Sequence, residues 1–233
     1  MSAQDEVRAN QFDQWVGTFQ TQKVIELGVG TSLLDVGCGI GQYTPLFTER
    51  FERVVGIDPS EEYLVIARKT CSGVQYIKEW GESFSLPEQF DTITMNMLLE
   101  HVDDPIILLK NCKKHLKKGG RLIAQVPNAH SITRRLGVLM GVIPSLEYNS
   151  EKERNYYGHQ RVYTLKTLEK DCREAGLTVI EKGGLLYKPL PNEMLLTLCE
   201  KNGKVWREQF LQALVTFGKD RPDECADLYI VCQ

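Results

Sequence analysis

Three glycines at alternate positions, Gly37, Gly39 and Gly41, directly follow an apolar run that carries Asp35. Glycines at a strand end tolerate backbone angles that other residues avoid, and they let a ligand touch the main chain. The next apolar run, VVGID, ends in Asp58. An acid about 20 residues past such a turn is placed to hold both hydroxyls of an adenosine ribose. The dinucleotide fingerprint is G-x-G-x-x-G, whereas here position 42 is Gln42 and the third glycine comes one place early. On these two runs alone, a dinucleotide and an adenosine-bearing methyl donor both fit. WGES, with Glu82 and Ser83, adds an acid that could reach an adenine amino group, and NMLLEH at 96–101 adds a fourth element.

These residues need a scaffold that collects strand ends. Short apolar runs at 32–37, 54–58, 74–80, 90–97 and 121–127 read as strands. Helical segments at 43–51, after the Ser60 cap, and at 104–117 alternate with them, the last closed by Gly119-Gly120. This rhythm predicts an α/β fold with a parallel sheet, helices on both faces and right-handed crossovers. The runs are almost continuously apolar, as a sheet covered on both faces requires. Residues 1–27 read as an amphipathic helix through Phe12, Trp15, Phe19 and Val24. Beyond 127 the rhythm breaks, and residues 128–160 contain no strand pattern. A helix at 165–176, strands at 178–187 and 227–232, and a helix near 203–218 complete the chain. We expect one domain over 1–233, with an N-terminal helical cover at 1–30 and an acceptor-lid insertion at 128–163.

Composition narrows the partners. The 233 residues are 42% apolar and 25% charged, with a net charge of −3. No global field draws in nucleic acid or an anionic membrane, and the basic run at 110–121 reads as a solvated helix face. The start lacks the apolar core of a signal peptide, and GVLMGVI at 137–143 is too short to span a bilayer. Seven cysteines, odd in number and scattered without a CxxC pair, suit reduced thiols in a cytoplasm. No metal site is expected.

With its four elements in this order, the chain resembles the class I S-adenosylmethionine-dependent methyltransferases, particularly the small-molecule group that includes ubiquinone-biosynthesis enzymes. LLDVGCGIG matches their first motif, VVGID their second, and LKKGGRLIAQVPN the helix-turn-strand after their fourth. The resemblance implies a Rossmann-like, doubly wound, seven-stranded sheet, mostly parallel, with the last strand antiparallel and a lid after strand five. It implies S-adenosylmethionine as the cofactor. Asp35 and the Gly37, Cys38, Gly39 and Gly41 turn would hold its methionine part, and Asp58 its ribose. Pro59 would border the adenine, while Glu82 and Ser83 would face the adenine edge; many relatives carry Asp where Glu82 stands. Asn96 would line the sulfonium end, with Tyr43 near the methyl-bearing carbon.

The acceptor side is less marked. Methyl transfer is an in-line displacement, so positioning lowers much of its barrier. A base is needed only for a protonated nucleophile, and histidine suits that task. His101, His130 and His159 are the candidate bases. Alternation along GHQRVYT would place His159, Arg161 and Tyr163 on one face. Arg134 and Arg135 in the lid would suit an anionic acceptor, and YNSEKERNYYGH (148–159) would add polar and aromatic groups. The expected reaction is methylation of an oxygen or nitrogen on a small polar metabolite, anionic ones included, such as a sugar or nucleotide-sugar. A quinone or other aromatic acceptor is the alternative within the class. An NAD-dependent oxidoreductase and a non-catalytic donor-binding subunit are the rivals outside it. The acceptor would be the partner, with no nucleic acid or membrane; a homo-oligomer is compatible.

Overall fold

The computed structural model describes residues 3–155 and 158–233, with side chains for all of these but 3–11 and 152. β1 (Ser32–Val36) is buried along its whole length. It lies between β2 (Arg53–Asp58) and β4 (Phe90–Asn96) and runs parallel to both. With β3 (Gln75–Lys78), β5 (Leu116–Pro127), β6 (Val179–Leu185) and β7 (Asp227–Cys232), it forms one seven-stranded sheet. The strand order is β3-β2-β1-β4-β5-β7-β6, and β7 alone runs against the rest. The fold is the Rossmann-like, mostly parallel sheet that the motifs imply. Strand order reverses between β1 and β4, and in such sheets ligands bind beyond the carboxyl ends at that point.

Successive β1 side chains point to opposite faces. Leu33 joins Val24, Phe47, Phe51 and Ile123 on one side, while Leu34 and Val36 join Ile93, Met95 and Leu108 on the other. Each leucine-sized side chain so buried contributes about 1.5–3 kcal/mol. One face is covered by α1 (Ala3–Leu27), α2 (Thr44–Thr48) and α3 (Glu61–Thr70); the other by α4 (Pro105–Lys114) and α7 (Leu165–Glu174). α1 also packs on α8 (Asn192–Gly218), with Phe12 among Leu195, Leu196 and Leu211. No described helix is long and apolar enough to cross a membrane.

The segment expected as a lid carries α5 (Ile132–Leu139) and α6 (Glu151–Asn155). Its two ends meet: Asn128 and Tyr163 form an isolated bridge, and Ala129 N donates to Tyr163 O at 2.7 Å. Several boundaries differ from the sequence reading, most of all at α4 and α8. α4 stops at Lys114 rather than 117, because His115 turns out of the helix. Its ring is held between Asn111 O (3.0 Å) and the amide of Leu86 (3.1 Å). Leu116 then pairs with Phe90, and the strand slips register before Arg121, with Gly119 at φ +79°. The helix before 203 was missed. Pro191 precedes it, and Gly203 at φ +79° kinks α8 and separates it from the anticipated 203–218 helix.

Candidate active site

The turn after β1 crosses the end of β2: the amides of Gly37 and Cys38 donate to Ile57 O at 2.8 and 3.0 Å. All three glycines are left-handed, with φ of +75°, +53° and +67°. A Cβ would strike Leu98 from Gly37 and Tyr76 from Gly41, but at Gly39 it would meet nothing within 4 Å. That open main chain is a cradle a ligand can press against. Asp58 anchors it. Its Oδ2 accepts from Gly39 N at 3.0 Å, and its Oδ1 from Ser60 N at 2.8 Å. Ser60 in turn caps α3. Asp35 sits behind the turn, fully enclosed; burial, and then the charge of Asp58, push its carboxyl up to about 7. Burial likewise pushes the Cys38 thiol upward.

A cleft of about 330 Å³ opens in front of this turn, walled by Gly37, Pro59, Trp80, Glu82, Leu98 and His101. Trp80 is 64% exposed, a large flat ring free to cover a ligand. The turn that carries it is tied down by Asn111, whose Nδ2 donates to Gly81 O and Phe84 O at 3.1 and 3.0 Å. Ser83 N closes the same turn on Trp80 O.

A second cleft, about 430 Å³, lies on the far side of the 97–103 loop. Met97 leaves β4 at φ +49°, a strained angle for a residue with a side chain. The loop then alternates its loyalties: Leu98, Val102 and Asp103 line the first cleft, Met97 and Glu100 the second, and His101 lines both. Across the second cleft stand His159, Lys188 and Asp227. The His101 and His159 rings meet edge to face, with centroids 4.8 Å apart. Glu100 is 1% exposed and, among the described residues, neither carboxylate oxygen has a hydrogen-bond partner; His101 Nε2 lies 3.8 Å away. Burial pushes Glu100 up to about 8, its own amide offsetting only part of that. Burial, and then His101, push His159 down. Glu100, His101 and His159 each bring one donor atom within 4.8 Å of the others, close enough to share a cation.

Residues 12–182 match the model of a family described as a methyltransferase domain. The chain belongs to that methyltransferase family. It is 32% identical over 168 residues to a ubiquinone biosynthesis O-methyltransferase of Pseudomonas fluorescens, spanning 69% of this chain and 70% of that one. The fold matches a SAM-dependent methyltransferase of Thermotoga maritima with a TM-score of 0.62 at 22% identity, over 96% and 94% of the two chains. It matches the [4+2]-cyclase SpnF equally well, at 0.62 and 19% identity over 92% and 80%. Fold alone therefore does not choose the acceptor. The enzyme is S-adenosylmethionine-dependent, and the open Gly39 cradle beside the Asp58 carboxylate fits that cofactor. When bound, it supplies an electrophilic methyl group on a sulfonium.

Within the methyltransferase, the anticipated residues separate into two groups. Gly37, Pro59 and Glu82 line the first cleft, with Asp35, Cys38, Gly39, Gly41, Asp58 and Ser83 in the turns behind it. Tyr43 points elsewhere: it packs on Gly17 of α1, its hydroxyl 3.4 and 3.5 Å from the carbonyls of Asp13 and Gln14. Asn96 turns back to accept from Thr94 Oγ1 at 3.2 Å and lines neither cleft. His101 and His159 reach the second cleft; His130 does not, lying 3.5 Å from Glu147 in the lid.

The arginines expected to meet an anionic acceptor are held by the protein itself. Arg134 donates to Leu146 O at 3.0 Å and to Tyr148 O, and pairs with Glu153 at 2.7 Å. Arg135 donates to His130 O at 2.7 Å. Arg161 clamps the central loop through Leu99 O (2.7 Å), Val102 O (2.5 Å) and Asp103 O (3.0 Å). Tyr163 is buried, its hydroxyl on Asp171 at 3.1 Å. Only His159 of that trio faces the cleft. Tyr156 and Tyr157 lie outside the described residues. Sequence reasoning missed Glu100, Asp227, Lys188 and Asp13 as cleft residues. An acid opening the last strand, as Asp227 does, was the one signal available.

Proposed function

We propose that the methyltransferase passes the methyl group to an oxygen or nitrogen of a small polar metabolite held in the second cleft. The observation that supports this is His101, which borders both clefts and marks where donor and acceptor meet. Glu100, His101 and His159 are there to receive the proton that a protonated nucleophile loses. An anionic acceptor no longer recommends itself, since Arg134 and Arg135 bind lid carbonyls and Glu153. A sugar-like metabolite keeps its place because Gln20, Glu100, Asn192 and Asp227 offer polar groups among the apolar lining of the cleft. A second reading, O-methylation of an aromatic hydroxyl, draws on the ubiquinone-biosynthesis relatives. Seven unpaired cysteines favour the cytoplasm as its compartment.

Calorimetry tests the donor half: S-adenosylhomocysteine binds and NAD does not. A methyl-transfer assay over sugars, aromatic hydroxyls and amines tests the rest. Absence of turnover on every member would favour a donor-binding subunit without catalysis.

A further inference from the structure

The described residues lining the second cleft offer mostly hydrogen-bond acceptors. Asp13, Glu100, Glu153 and Asp227 bring four carboxylates to it, and Lys188 is the sole lysine or arginine among them. That lysine already donates to Asn192 Oδ1 at 2.8 Å, and Glu153 is paired with Arg134. Asp227 accepts from Gln20 Nε2 at 3.0 Å and is 8% exposed. Glu100 is deeper still, 1% exposed, and no described residue hydrogen-bonds either of its oxygens. A buried carboxylate without donors is costly. Its natural complement is a ligand rich in N–H groups and carrying positive charge.

We infer that the acceptor is an amine entering as its ammonium ion, and that nitrogen is the atom methylated; this rests on the methyl-transfer reading above. An ammonium brings three donors and a positive charge. A hydroxyl brings one donor, and a carboxylate or phosphate brings none and is repelled by the wall. The ammonium first gives a proton to the Glu100 carboxylate, which frees the nitrogen lone pair. Burial lifts Glu100 to about 8, so the exchange proceeds where the carboxylate is ionised, at pH above that value, and turnover should rise through it. The N–C bond then forms as the C–S bond of the donor breaks, the bonding pair staying on sulfur. Sulfur ends neutral, and the methylated nitrogen carries the positive charge that sulfur gave up.

The test uses S-adenosylhomocysteine-saturated protein and matched probes: benzylamine against benzyl alcohol, glucosamine against glucose, and benzoate. By calorimetry, the amine of at least one pair should bind roughly tenfold tighter than its alcohol, the gain of one charge-assisted bond, with benzoate not binding. Glu100→Gln keeps the side-chain shape and should erase most of that preference while S-adenosylhomocysteine affinity holds; Asp227→Asn should reduce it. No amine preference in any pair, or one untouched by both variants, overturns the inference. So does stoichiometric Mg²⁺ or Zn²⁺ binding that Glu100→Gln abolishes, for the carboxylate would then serve a metal ion. If S-adenosylhomocysteine itself fails to bind, the methyl-donor reading falls first.

Discussion

The two clefts share one loop yet are built from different materials. The first cleft, the proposed donor site, rests on main chain at its floor, a glycine turn, two strand ends and the amides that Asp58 gathers, with Trp80, Glu82 and Leu98 as its walls. The second cleft, the proposed acceptor site, is made of side chains from α1, the 97–103 loop, the lid, α8 and the start of β7. A ligand gripped through backbone must have the same shape in every relative, whereas a wall of side chains can be rewritten residue by residue. The division explains how one fold serves many acceptors.

The contrast is sharpest at Asp58. Its carboxylate holds both the turn and the start of α3, so Asp58→Ala removes two charge-assisted bonds and leaves Gly39 without an anchor. S-adenosylhomocysteine affinity should fall about 100-fold, roughly 3 kcal/mol by calorimetry. Unchanged affinity would mean that the backbone cradle does not define the donor site.

Arg161 probes the shared loop. Its guanidinium binds three carbonyls between Leu99 and Asp103, so Arg161→Ala strands those acceptors. Urea unfolding should show a loss of about 2 kcal/mol, and turnover should fall more than donor affinity. An equal loss in both would show that the loop belongs to one cleft rather than to two.

How far the sequence could be read follows the same division. Glycine spacing and strand-end acids are local, so Gly37, Gly39 and Asp58 could be located without coordinates. Glu100 and Lys188 converge through tertiary packing, and no neighbouring residue advertises them; Asp227 was marked only as an acid opening the last strand. Arg134, Arg135 and Arg161 misled for a physical reason: a guanidinium has five donors, and buried loop carbonyls compete for them as well as any ligand. The α4 boundary failed because His115 fits as a buried brace rather than a last helical turn. Gly203 marked a break, but nothing local showed that a helix preceded it.

Asp35 gives a smaller effect with a definite sign. Its carboxyl is raised from 3.8 to about 7, so the folded protein holds a proton that the unfolded chain has already released. Its stabilising contribution is present below pH 4 and is lost as pH rises through 7. Without donor, Asp35→Asn should therefore flatten the decline in stability over that window, by up to ~4 kcal/mol at pH 8. Donor binding runs the other way, because the cationic methionine end favours the ionised acid. Affinity should drop about tenfold from pH 8 to pH 6 in the wild type and stay level in the variant.

Tyr43 carries the smallest effect and the finest distinction. The family pattern would set its ring by the methyl-bearing carbon, yet it packs on Gly17 with weak, long hydroxyl contacts to α1. Contacts near 3.5 Å contribute little. Tyr43→Phe should therefore cost under ~0.5 kcal/mol in stability and leave S-adenosylhomocysteine affinity within about twofold. A tenfold fall in turnover at unchanged stability would place the hydroxyl on the reacting ligands in the bound state. The N-terminal helix would then have to release it as the donor arrives, making α1 a cover for both clefts rather than a wall of one.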